Sequence, residues 1–186
     1  MTLDSKDREI PFKNSYWVSY GRLLAGEYPL SFNPDLSRKR LHSMFSLGIR
    51  RIIDLTEPDE ILRVGTSHPG YAELVEEVAQ SMDIRAEYIS LPVLDFEAPV
   101  RETMVRILDM IDESLAADRP VYIHCWAGIG RTGTAVGAWL VRHGHPPDFS
   151  LLDTIQQMRI HTDNAFMESP QSRQQRDLIL SWVRYE

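Results

Sequence analysis

The stretch VYIHCWAGIGRTGTAVGAWLVRHG, Val121–Gly144, decides how the rest of the chain is read. VYIHC has the length and β-branched content of a short buried strand. RTGTAVGAWLVRHG reads as a helix that stops at Gly144, with Pro146 and Pro147 barring continuation. Cys125, the single cysteine of the chain, therefore stands at the carboxyl end of a strand, just before a helix. Gly128 and Gly130 let main-chain N–H groups turn inward toward a ligand. Successive inward N–H groups form an anion nest, and the positive end of the following helix points at the same place. Arg131 adds a planar fork that can grip two phosphate oxygens. The run Trp126, Ala127, Gly128, Ile129, Gly130, Arg131 is thus an oxyanion cradle with a sulfur at its base. That setting favours the thiolate, the form that attacks, so Cys125 is the candidate nucleophile on a bound tetrahedral anion.

Working outward, WVSYGRLLAGEYP predicts two short strands around Gly21, and IRRIIDL (49–55) and IRAEYISLP (84–92) predict two more. Helices are expected over NPDLSRKRLHSMFSLG, over GYAELVEEVAQSM and over RETMVRILDMIDESL, where Met104, Leu108, Ile111 and Leu115 share one face. Two further helices follow. One is capped by Asp148 and carries Leu151, Leu152, Ile155 and Met158; the last carries Leu178, Ile179, Trp182 and Val183. Strands alternating with helices predict an α/β sandwich with a mostly parallel central sheet flanked by helices. Ligands of such sheets bind beyond the carboxyl ends of strands, where Cys125 lies.

With 186 residues, the chain suits one domain with a real core. Residues 1–14 are polar and read as a flexible N-terminal tail, leaving 15–186 as a single domain. A net charge of −7 argues against nucleic acid, whose binding rests on clustered Lys and Arg. The N-terminus lacks the apolar core of a signal peptide, and no stretch is long and apolar enough to span a membrane. A lone cysteine fits a reducing compartment, so a cytoplasmic location is expected. The six histidines show no metal-ligand spacing, so neither a metal nor any cofactor is expected.

Cys-x5-Arg by itself is a short pattern. Here His124 precedes the cysteine, glycines occupy the loop and Thr132-Gly133 follows the arginine. HCWAGIGRTG in this strand-to-helix context resembles the protein tyrosine phosphatase superfamily. The loop lies in the C-terminal half of a compact chain, which is similar to the dual-specificity group. The resemblance is strong over 91–137, weaker over 170–182 and faint before residue 90. It implies the protein tyrosine phosphatase fold and hydrolysis through a cysteinyl-phosphate intermediate. It also implies that Asp95, in LPVLDFEAP, is the general acid on a loop after a strand; Glu97 and Asp54 are the other carboxylates in view. Thr132 would donate to the sulfur as it leaves, or else serve the helix start. His124 would support the loop by hydrogen bonds. Gln171 would position the hydrolytic water, with Gln175 as support four residues on. Phe96 is either an apolar wall over the substrate or a core anchor, and Trp126 either rims the cleft or packs on the sheet. Val100 stands where the family often has a hydroxyl that caps the helix, which leaves the anchoring of the acid loop open.

No variable position of the loop is basic, which favours one phosphate per site over a multiply phosphorylated ligand. The expected substrate is phosphotyrosine in proteins, with phosphoserine and phosphothreonine as further substrates of a dual-specificity enzyme. A small-molecule or inositol phosphatase is the alternative, and a non-catalytic phosphate-binding module the third reading. Phosphate-like oxyanions are expected to inhibit, and a monomer is favoured.

Overall fold

The structure, a computed structural model, describes residues 9–58, 60 and 71–184. Five strands form one sheet: β1 (Ser15–Ser19), β2 (Leu23–Gly26), β3 (Arg51–Asp54), β4 (Glu87–Ser90) and β5 (Val121–His124). Their order is β1-β2-β5-β3-β4, with β1 antiparallel to β2 and every other pair parallel. The helices described are α1 (Pro34–Ser46), α2 (Tyr71–Ser81), α3 (Arg101–Ala116), α4 (Gly130–Arg142), α5 (Phe149–Met158) and α6 (Arg173–Leu180). The mostly parallel α/β architecture expected from sequence is present.

Side chains alternate across a strand, so each central strand feeds two cores. Leu23, Ala25, Ile53, Val121 and Ile123 face a cluster completed by α3, α4, α5 and α6. Leu24, Ile52 and Tyr122 face the other way, toward α1 and α2. Each fully buried aliphatic side chain contributes about 1.5–3 kcal/mol, so this double burial is what fixes the strand register. β5 is the pivot: it pairs with β2 on one side and β3 on the other, and all four of its residues are buried. Its carboxyl end is thereby held in the middle of the sheet.

Local chemistry sets the helix boundaries. Asn33 caps α1 by accepting from the N–H groups of Asp35 (3.0 Å) and Leu36 (3.4 Å). Asp148 caps α5 through the Ser150 N–H at 2.9 Å. Ser172 and Gln175 form a reciprocal capping box on α6. Val100, before α3, makes no side-chain cap.

Three expectations need correction. The tail read over 1–14 is anchored from Glu9 onward, with residues 1–8 lying outside the described residues. The Glu9 carbonyl accepts from the Trp17 indole at 2.7 Å, Ile10 and Phe12 pack against the α1/α2 core, and the Asn14 amide donates to Glu27 at 2.8 Å. Two apolar residues spaced two apart hold the segment even though its composition is polar. The strand expected over 84–92 is paired only over Glu87–Ser90, an edge strand with one neighbour. The last helix ends at Leu180, so Trp182 and Val183 lie beyond it; Trp182 is still buried, with the Arg101 guanidinium 4.9 Å over its ring.

Candidate active site

Cys125 follows β5 directly and is 3% exposed. It packs with the α3–α6 core, whereas His124, one residue earlier, faces Tyr71 and Tyr122 on the opposite side. Strand alternation thus separates the imidazole from the thiol.

The loop from Cys125 to Gly130 is shaped from outside, through its carbonyls. Cys125 O lies 3.2 Å from His124 Nδ1. Trp126 O accepts from the Tyr28 N–H at 2.9 Å. Ala127 O accepts from the Asn164 amide at 3.0 Å, and Ile129 O from the Ser169 hydroxyl at 2.7 Å. In a trans peptide the C=O and the next N–H point oppositely. Drawing these carbonyls outward therefore turns the N–H groups of Trp126, Ala127, Gly128 and Gly130 toward the other side, the direction an anion nest requires. Gly128 makes the shape possible. Its φ is +71°, and a Cβ built there would meet Gly26 C at 2.4 Å. The loop lies directly on the end of β2.

The outer supports are themselves held. Arg159, almost fully buried, donates to the carbonyls of Met167 (2.7 Å) and Asn164 (3.0 Å) and to Asn164 Oδ1. Thr162 donates to the same Oδ1 at 3.0 Å, which leaves the Asn164 amide nitrogen aimed at Ala127. His124 is buried, and burial lowers its pKa below the usual 6.5 against the opposing pull of Asp54 and the Cys125 carbonyl. Burial first, and the Asp54 charge second, hold the Tyr71 phenol protonated. Because Cys125 O can only accept, the neutral His124 carries its proton on Nδ1, 3.2 Å from that oxygen, and the Tyr71 hydroxyl, 3.2 Å from Nε2, is the donor there.

Arg131 is 2% exposed. Its fork meets both Glu60 oxygens, at 2.5 and 2.8 Å, and Asp95 Oδ1 at 3.0 Å, and it donates to the carbonyls of Val93 (3.0 Å) and Leu55 (3.3 Å). Burial works against its charge, but the Glu60 hydrogen bonds, with Cys125 and Asp95, raise its pKa above the ordinary value. Arg131 Nε and Thr132 Oγ1 are buried and have no hydrogen-bond partner in the protein among the described residues. Such atoms are uncommon in folded proteins.

The chain therefore brings Cys125, Arg131 and Asp95 to one place. Asp95 sits in a tight turn, where Glu97 N donates to Leu94 O at 3.2 Å and Phe96 N to Asp95 Oδ1 at 3.0 Å. Asp54 does not reach the cleft. It is buried, and accepts from Thr56 N (2.8 Å), Thr56 Oγ1 (2.7 Å) and the Tyr88 hydroxyl (2.9 Å). Glu97 enters through its main chain, its carbonyl accepting from Gln175 at 3.1 Å. Phe96 is 59% exposed, which excludes the core-anchor reading, and Trp126, 38% exposed, stacks on Tyr28 with centroids 5.3 Å apart. Gln171 and Gln175 both lie against Gly130: a Cβ there would meet their oxygens at 2.9 and 3.0 Å.

Glu60, Asn164, Ser169, Tyr28 and Arg159 escaped the sequence reading. Each comes from a segment far from the loop, and a Glu in EPDE or an Asn in TDN carries no local signal of its partner. Among the described residues there is no cluster of His, Cys, Asp and Glu able to hold a metal, and no helix long and apolar enough to cross a membrane.

Comparison with known proteins gives the family and the fold. The family described as "Polymorphic toxin system, DSP-PTPase phosphatase" matches residues 37–145, more than half of the chain. The solved structure of Tk-PTP in its active form is similar, with 21% identity and a TM-score of 0.63, over 89% of this chain and 93% of that one. PTPMT1 in complex with PI(5)P matches at 18% identity and a TM-score of 0.65, over 89% and 92%. These two likenesses show the fold alone. A probable chloroplastic NAD kinase 2 of Oryza sativa subsp. japonica is 29% identical over 105 residues, which are 56% of this chain. The chain spans about a tenth of the length of that curated relative.

Proposed function

The chain belongs to the DSP-PTPase phosphatase family of polymorphic toxin systems, and from that premise we propose that it hydrolyses phosphotyrosine in proteins, with phosphoserine and phosphothreonine as further substrates. One observation carries this reading. Asp95, far from Arg131 in sequence, lies 3.0 Å from its guanidinium at the mouth of the cysteine loop. A cation, a proton donor and a sulfur converge there.

The reaction follows from those groups. The ester phosphate sits in the nest, taking N–H groups and the Arg131 fork. The Cys125 thiolate attacks phosphorus; the S–P bond forms as the P–O ester bond breaks, and the Asp95 proton goes to the leaving oxygen. Water, oriented by Gln171, then attacks phosphorus and gives a proton to Asp95. The S–P bond breaks, inorganic phosphate departs and the thiolate returns, with the Thr132 hydroxyl donating to the sulfur. The buried, unpartnered Arg131 Nε and Thr132 Oγ1 support these roles, because a phosphate oxygen and a thiolate are the acceptors they need. No step requires a metal or cofactor. Phosphate-like oxyanions occupy the same cradle and inhibit.

The substrate class rests on the rim. Trp126, Ala127, Gly128, Ile129 and Gly130 bring no cation beyond Arg131, which suits a single phosphate. Leu94, Phe96 and Trp126 present exposed apolar surface at the acid turn and the loop, which suits an aryl ring. Phosphate release from phosphotyrosine, phosphoserine and phosphothreonine peptides, inositol phosphates, a phosphoinositide and a small aryl phosphate tests the proposal. The highest kcat/KM is expected on phosphotyrosine peptides, with no turnover by Cys125→Ser. Preference for an inositol phosphate or phosphoinositide overturns the substrate class. Equal turnover by Cys125→Ser overturns the nucleophile.

A further inference from the structure

The acid turn is an exposed element with few anchors. Leu94, Asp95, Phe96 and Glu97 are all exposed. Phe96 has φ +61°, the left-handed region that is uphill for a residue with a Cβ and must be held by its surroundings. The following helix does not hold it, since Val100 contributes no side-chain cap to α3.

Besides the Arg131–Asp95 ion pair, Gln175 reaches the turn from the protein body and ties its main chain. This amide is 0% exposed and sits at the third position of α6. Its oxygen accepts from the Ser172 N–H at 3.1 Å, and its nitrogen donates to Glu97 O at 3.1 Å, one residue past the left-handed Phe96. The same side chain lies flush on the phosphate loop, 3.0–3.1 Å from where a Cβ on Gly130 would stand. Its oxygen is committed to a helix cap and its nitrogen to the acid turn, so it is poorly placed to orient a water. It spans three elements: the α6 start, the phosphate loop and the turn that carries Asp95.

We propose that Gln175 is a positioning residue for the proton donor. By tying Glu97 O to the helix that flanks the phosphate loop, it holds Asp95 over the ester oxygen. The inference rests on the reading of Asp95 as the general acid. Its signature is a dependence on the leaving group. An ester whose leaving oxygen is basic needs the Asp95 proton; one whose oxygen is a stable anion does not.

The test measures kcat/KM, which covers the step that breaks the ester, on phenyl phosphate and on 2,4-dinitrophenyl phosphate. Gln175→Glu keeps an acceptor for Ser172 and loses the donor to Glu97 O, but adds a carboxyl beside the phosphate loop, so it is read together with the uncharged variant. Gln175→Met keeps the volume and loses both, and thermal melts identify which variant is folded at the assay temperature. Asp95→Asn is the reference. The expected result is a fall of about tenfold on phenyl phosphate and less than about threefold on the dinitrophenyl ester, in the pattern of Asp95→Asn. Equal losses on both esters, or no loss on either, overturn the role of Gln175 when Asp95→Asn itself discriminates between them. If Asp95→Asn does not discriminate, the reading of Asp95 as the acid fails, and the role of Gln175 falls with it.

Discussion

Replacing Gly128 by alanine tests the claim that the cradle is shaped by close contact with β2. The added Cβ would lie 2.4 Å from Gly26 C and 2.6 Å from both Gly26 O and Glu27 N, all backbone atoms of the β2 end. Carbon atoms rest about 3.5–4.0 Å apart, so the loop must retreat by about 1 Å. That retreat pulls Trp126 O from Tyr28 N and Ala127 O from Asn164, and swings the N–H groups off the phosphate. A displacement of about 1 Å at a reacting centre costs on the order of 10²-fold, equivalent to about 2.7 kcal/mol of transition-state stabilisation. Left-handed backbone strain adds roughly 1 kcal/mol to the loss of stability. Gly21→Ala separates the two effects. Its φ is +72°, against +71° at Gly128, but a Cβ there meets nothing within 4 Å, and it lies in the β1–β2 turn. The assay is kcat/KM on an aryl phosphate with vanadate inhibition alongside, and urea unfolding for stability. Gly128→Ala is expected to lose both turnover and vanadate affinity, and Gly21→Ala to lose stability only. Near-normal turnover in Gly128→Ala, or an equal loss in Gly21→Ala, would refute the contact argument.

Removing the carboxylate in Glu60→Ala leaves the buried Arg131 without its two-oxygen partner and is expected to cost roughly 3 kcal/mol in urea unfolding. Vanadate, which supplies acceptors to the same fork, should then raise the melting temperature more in the variant than in the wild type; an unchanged unfolding midpoint contradicts the pairing. For His124, burial sets the folded pKa below 6.5, so between that folded value and 6.5 the unfolded chain binds more protons than the native one. Its contribution to stability is present above about pH 6.5 and is lost as pH falls, by up to about 1.4 kcal/mol per unit. Urea unfolding from pH 7.5 to 5 should show a shallower decline in His124→Asn, and parallel curves would exclude a neutral, buried histidine.

The place of the cysteine loop in the fold was legible because its pattern is local. Cys125, two loop glycines and Arg131 fall within seven residues, and the strand-to-helix switch around them is written in the hydrophobic pattern. Asp95 was legible only through its turn between prolines and the family resemblance. Glu60 was not, because its role exists only after β3 and β5 pair and carry it to Arg131. The same holds for Asn164 and Ser169, which reach the loop from 37 and 40 residues away. Asp54 shows the converse error. A carboxylate at a strand end looks available in sequence, but in the fold Thr56 and Tyr88 take up its oxygens. The tail misled because polarity was weighed over the two residues, Ile10 and Phe12, that dock it.

The two halves of the site are built to different stiffness, and this separates their functions. The carbonyls of the phosphate loop are tied by groups from four places: the end of β2, the end of β5, the Arg159–Asn164 segment and Ser169. These ties rest largely on buried side chains, so loosening one leaves a buried acceptor unpaired, at about 1–3 kcal/mol. On the proposed reading the nest is preformed, and its N–H dipoles share the anion with Arg131, whose charge is partly offset by two carboxylates. That is how a chain of net charge −7 can attract phosphate locally. The acid turn is the opposite case: four exposed residues, one left-handed backbone angle, one amide tie and one ion pair. Elements with so few buried contacts open at low free energy. Substitutions behind the loop should therefore act first on oxyanion affinity. Substitutions at the turn or at Gln175 should act on proton delivery, leaving that affinity near its original value.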